Sequence, residues 1–297
     1  MSAIKLAVAL LLAFGPPTPK GKPRGPVEFE TLRGFNTVLL THVNAVLGSE
    51  NLPLGVGLPL EPGVFVTITP ERITVFDKNV ATVANGRVVD PEEGRYQNPG
   101  LAERGIGREC KSACSRALFD GFHAQWRKFA AESDAIGTDV PTRVLLAAHA
   151  QLPARLLVDT AYAISETRPQ QPPYLSIVVN GADAGVRSRP FALLPPQGIS
   201  VSASQRPLGL RITMSPDGKY RVTAADPRFG RALEYATLPE TVAALRDIKK
   251  RFPSKDVLIV DVVQSGTVSD VINLMMAVQE DFTKVVLCNG QRVRVGG

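Results

Sequence analysis

The chain has 297 residues, of which 44% are hydrophobic and 21% charged. That length exceeds one average domain and the balance is that of globular protein, so two cores are expected and a disordered chain is excluded. A net charge of +6 favours anionic partners such as cell-wall polymer or lipid headgroups, but aromatics are only 6% and no run alternates Arg or Lys with Tyr or Phe, so no nucleic-acid groove is expected.

Residues 1–15 place Lys5 before an apolar run at 6–14 that closes on Gly15, the order of a secretory signal. The run is shorter than the roughly 20 apolar residues a spanning helix needs, and Gly15, Pro16 and Pro17 interrupt it. Export to the periplasm without a transmembrane span is the expectation. Ala13 and Gly15 suit the cleavage positions and Pro16 does not, so processing stays open. The alternative is a hydrophobic N-terminal helix in a cytosolic protein. Residues 16–50 follow as a proline-rich arm with Lys20, Lys22 and Arg24, then a helix. In that helix Phe29, Leu32, Phe35, Leu39, Val43 and Val46 recur at helical spacing, and Arg33, Asn36, His42 and Asn44 keep it out of a bilayer.

Residues 51–182 and 190–297 each read as one copy of a ββαβαβ module, which makes the chain α/β. In the first copy, 64–69 and 73–76 are strand-like runs around a Pro70, Glu71, Arg72 turn. Residues 85–115 are rich in Gly, Glu and Arg and hold Cys110 and Cys114; they read as a surface loop, either functional or a neutral insertion. Leu118, Phe122, Trp126 and Phe129 mark a helix, 144–148 a strand, Leu156, Val158 and Ile164 a second helix, and 174–179 a strand.

In the second copy, 208–214 and 219–224 flank the hairpin turn Ser215, Pro216, Asp217, Gly218. Thr237 and Glu240 form a capping box that opens a helix with the stripe Leu238, Val242, Leu245, Ile248 and Phe252, and Pro253 ends it. The branched apolar run 257–263 predicts a strand covered on both faces. Thr267 opens a helix through Val268, Val271, Ile272, Met275, Met276 and Val278, and 284–288 is the last strand before Asn289 and Gly290. Each strand-helix-strand step predicts a right-handed crossover between parallel neighbours, giving a small mixed sheet with two helices packed on it.

Leu145-Leu146-Ala147-Ala148-His149, then Leu152-Pro153 and a helix from Leu156, resembles the ExbD/TolR biopolymer-transport family. The family's periplasmic domain there has an apolar strand, Ala-Asp, and Val-Pro before a helix; His149 stands in place of the Asp. The second copy keeps Val257-Leu258-Ile259 and the helix around Val271, with Ser265-Gly266 in place of Val-Pro. Asn51-Leu52-Pro53-Leu54 looks like the short Leu-Pro segment that enters the domain. The resemblance covers residues 51–181 and 207–290. It implies a non-enzymatic periplasmic binding or scaffold protein, without a cofactor, accessory to an envelope transport or energy-transducing complex. The implied partners are a proton-channel complex, a TonB-like or TolA-like transducer, or peptidoglycan, and the tandem copies would form a monomeric pseudo-dimer. The family's spanning helix with its proton-carrying Asp has no counterpart, since the first Asp of this chain is Asp77, so no proton-driven motor is expected.

Catalytic motifs are sparse. His42, His123 and His149 show no metal-ligand spacing, and Gly105-Ile106-Gly107 is a weak echo of a dinucleotide fingerprint with no strand before it. His149 ends a parallel strand, where open α/β sheets place ligands. The alternative function is therefore a soluble enzyme or ligand-binding protein with a site near His149 and Asp261. Ser265, Gly266 and Thr267 at a helix start can hold an anion on backbone amides or serve as ordinary caps. Cys110 and Cys114 can pair if their loop joins them in an oxidising compartment, or stay inert thiols like Cys288 in its apolar run.

Overall fold

The computed structural model describes residues 39–89, 115–136, 142–167, 173–182, 185–196, 198–202, 208–215, 217–226, 229–262 and 266–296. Residues 1–15, Cys110, Cys114 and Ser265 lie outside them, so the signal-like segment, the disulfide and the Ser265 contact are not described. The chain is mixed α/β and divides into two compact units. Among the described residues no helix is long and apolar enough to cross a membrane.

The first unit holds described residues up to 89, 115–149 and 163–190. It begins with a helix, α1, at residues 39–46. Strands β1 (Leu58–Pro59), β2 (Val64–Ile68), β3 (Arg72–Val75), β4 (Lys78–Ala84) and β5 (Arg87–Val88) follow. Then come helix α2 (Arg116–Ile136), β6 (Arg143–Ala148), the end of helix α3 (Ala154–Glu166), β7 (Tyr174–Asn180) and the start of β8 (Val186–Leu193). Strand β2 is buried at every position, Thr67 included, because it lies inside the sheet, antiparallel to β3 and parallel to β6, with β7 parallel beyond. Phe65, Leu145, Ala147 and Val178 point to one face and meet Leu39, Val43 and Leu47 of the α1 region with Leu52 and Leu60. Val64, Val66 and Val144 point to the other and line an apolar recess with Phe122, Trp126, Phe129 and Ile164. Burying such side chains contributes about 1.5–3 kcal/mol each.

The sheet runs on where a surface loop is expected from residue 85. Asn85 (φ 53°) and Gly86 (φ 71°) form a two-residue turn with both residues left-handed, which matches the twist of a hairpin. Val83 and Ala84 then pair with Val88 and Arg87.

The second unit holds residues 150–162 and described residues from 191 onward. It contains most of α3, the end of β8, then β9 (Ile199–Ser202), β10 (Arg211–Met214), β11 (Tyr220–Thr223) and β12 (Leu233–Tyr235). Helix α4 (Leu238–Arg251), β13 (Val257–Asp261), helix α5 (Val268–Val278), β14 (Lys284–Cys288) and β15 (Val293–Gly296) complete it. The capping box at Thr237 forms as the sequence predicts: Glu240 N–H donates to the Thr237 hydroxyl and the Glu240 carboxylate accepts from Thr237 N–H. Strand β13 lies between β10 and β14, parallel to both, and buries Leu258 through Asp261. Strand β15 pairs in parallel with β9 in a separate two-stranded ribbon.

Strand order is the same in the two units. It runs β4-β3-β2-β6-β7 in the first and β12-β11-β10-β13-β14 in the second. In each, the three strands of the opening meander are antiparallel and the two strands that follow helices are parallel.

Candidate functional site

Parallel register in the second unit sets Arg211 opposite Ile259 and Cys288 opposite Asp261. Period-2 alternation then puts Arg211, Asp261 and Cys288 on one face, at the carboxyl ends of β13 and β14. This is the position at which open α/β sheets present polar chemistry. Asp261 is buried; its Oδ2 lies 2.5 Å from Arg211 Nη1 and its Oδ1 accepts from the Gly290 N–H at 2.9 Å. Gly290 has φ 81°, the left-handed conformation that turns its amide back onto the strand.

The network extends from this pair. The second guanidinium nitrogen of Arg211 donates to the Gln291 backbone carbonyl. Gln291 Oε1 accepts from the Asn289 N–H at 2.7 Å. The Tyr162 hydroxyl lies 2.6 Å from the Leu194 carbonyl and 3.0 Å from Gln291 Oε1, with one proton for the two acceptors. Asn289 Nδ2 donates to Asp159 Oδ1 at 2.5 Å, and Arg155 donates to the other Asp159 oxygen at 3.4 Å. Asn289, Gln291 and Tyr162 are all buried. A buried polar chain of this kind is costly when half-satisfied and specifying when complete.

Chemically the cluster is a clamp. Both Asp261 oxygens and two Arg211 nitrogens are occupied, and Cys288 beside them is fully buried with its thiol pushed up to about 12 by burial and then by the Asp261 carboxylate. A thiol held that high is no nucleophile near neutral pH. What the cluster fixes is the turn at residues 289–292 that carries the chain from β14 into β15.

The other sequence candidates fall as follows. Thr267 caps α5, its hydroxyl accepting from Asp270 N–H and its own N–H donating to the Asp270 carboxylate. The next two amides, of Val268 and Ser269, donate to the carbonyls of Leu152 and Ala150. The amides of Thr267, Val268, Ser269 and Asp270 are therefore all occupied within the protein, and Asp270 supplies negative charge there, which is the arrangement of an ordinary cap. His149 directly follows β6 in the first unit, half-buried, with its backbone N–H donating to the Ile68 carbonyl at 3.1 Å. Asp261 belongs to the second unit. Among the described residues no group of three His, Cys, Asp or Glu is placed to hold a metal ion.

Sequence reading singled out Asp261 but not Arg211, Asn289, Gln291, Asp159 or Tyr162. Arg211 lies within an apolar strand run, which is the one signal that could have flagged it, because a charge there needs a partner on the same face. Comparison with protein-family models, curated proteins and solved structures returns no match.

Proposed function

We propose that this chain is a non-enzymatic binding or scaffold protein of the bacterial envelope. In this reading it is exported to the periplasm, is built from a duplicated module resembling the ExbD/TolR periplasmic domain, and assists a transport or energy-transducing complex. The observation that carries it is the repeated strand order, in which each unit has the expected ββαβαβ strands plus one more strand in its opening meander, β4 in the first and β12 in the second. The clamp around Arg211 and Asp261 supports the non-enzymatic part, since its polar groups bind one another and its thiol is not activated. Partners are a proton-channel or TonB-like or TolA-like complex, with peptidoglycan as a further contact through basic surface. The tandem copies supply within one monomer what single-module relatives obtain by dimerising.

Fractionation of a Gram-negative host expressing the full chain tests this. The expected outcome is recovery with periplasmic markers as a monomer by sedimentation. Retention in the cytoplasm with residues 1–15 intact would remove the envelope reading.

A further inference from the structure

Helix α1, which closes one face of the first sheet, carries an imidazole where a hydrocarbon is expected. Leu39, Val43 and Leu47 pack on Phe65, Leu145, Ala147 and Val178. His42 faces the same sheet, its ring centroid 5.4 Å from that of Phe65 at an interplanar angle of 83°. Its Nε2 is buried and has no hydrogen-bond partner. The hydrophobic side chains that β6, β7 and β8 bring to this cluster are Leu145, Ala147, Val178 and Val186, and Ser176 and Asn180 alternate onto the Val178 face of β7. The charged groups that face the ring come from β3 and the turn after it: Arg72, and Asp77, which is itself paired with Lys78 at 3.5 Å. The Phe76 backbone, held at φ 51° in that turn, presents its carbonyl to the ring.

A neutral ring suits this place. A charged one would carry a second N–H into a site with no acceptor for it, a cost of the kind that expels buried charge. Burial is the largest influence on His42 and pushes its pKa below the ordinary 6.5; Asp77 and the Phe76 carbonyl pull it up, and Arg72 pushes it down again.

We propose that His42 is an acid-sensitive latch whose protonation releases α1 from the sheet and uncovers the apolar face made by Phe65, Leu145, Ala147 and Val178. A released ring titrates near its ordinary value while the docked ring resists protonation. The docked state is thus favoured in full above about pH 6.5 and loses ground as pH falls toward the docked pKa, by up to about tenfold per pH unit.

Hydrogen exchange on the full chain at pH 7, 6 and 5, expressed as protection factors, tests it. Protection at residues 39–47 should fall by up to about tenfold per unit, while β6 and β13 hold theirs. His42→Phe, which keeps the ring contact, and His42→Asn, which keeps a donor, should abolish the fall. An equal fall in both variants, or flat protection in the natural chain, would overturn the latch. Should the variants fail to fold, an NMR titration of His42 in the natural chain decides: a pKa under 6.5, with α1 amide shifts following the same curve, supports it, and a value at or above 6.5 defeats it.

Discussion

Arg211 and Asp261 show how one side-chain pair can set the course of a chain end. Both are largely withdrawn from water, at 17% and 5% side-chain exposure, so removing one partner strands the other as a buried charge. Asp261→Asn or Arg211→Met should each cost about 3–5 kcal/mol in urea unfolding. The double variant Arg211→Met, Asp261→Leu should cost much less than the sum, because no charge is left behind. Cys288 allows a second test at this scale. In a chain carrying Cys110→Ser and Cys114→Ser, it should resist thiol reagents at pH 8 until denaturant unfolds the protein. Its folded pKa is raised, so the stability it contributes is present below about pH 9 and is lost as pH rises toward about 12. The difference in urea midpoint between this chain and its Cys288→Ala variant should narrow across that window.

At the scale of elements, the chain is legible wherever a local rule acts. The capping box at Thr237 is readable because Glu240 sits three residues on; at Thr267 the sequence offers a cap but not the full box, because Asp270 is a shorter acid in the same role. Thr237→Ala and Thr267→Ala should each lower stability by about 1 kcal/mol in thermal or urea unfolding. The buried strands β2, β6, β13 and β14 stand out as apolar runs. Strands β9, β12 and β15 do not, since three or four residues paired at a sheet margin carry no periodicity of their own. The clamp was illegible for a related reason: its members are scattered through α3, β10, β13 and the last turn, and only the register of three parallel strands brings them together. Gly198 was equally silent. It has φ 75°, and a Cβ there would run into the Arg292 carbonyl, so Gly198→Ala should detach the β9–β15 ribbon, seen as lost amide protection in both strands.

For the molecule as a whole, the chain passes from the first unit to the second within β8, and this is not the only crossing. Residues 150–162 lie with the second unit although they precede β7. Composition could not reveal this, because α3 is one unbroken helix whose two ends serve different cores. A fragment of residues 191–297 would lack Asp159 and Tyr162 and leave Asn289 and Gln291 without those partners. It should show no cooperative urea transition, and extending it back to residue 150 should restore one; a cooperative transition in the shorter fragment would contradict this assignment.

Tyr162 meets Gln291 across 129 positions of sequence, and Asp159 meets Asn289 across 130. While the chain is being made, the second unit can collapse around β10 and β13, yet it cannot lock until the turn after β14 has emerged from the ribosome. A nascent chain arrested before Asn289 should therefore be cut readily by protease throughout residues 191–288, and one arrested far enough beyond β15 to expose it should resist. The second unit therefore stays open to protease until residues 289–292 have been made, whatever the first unit has already done.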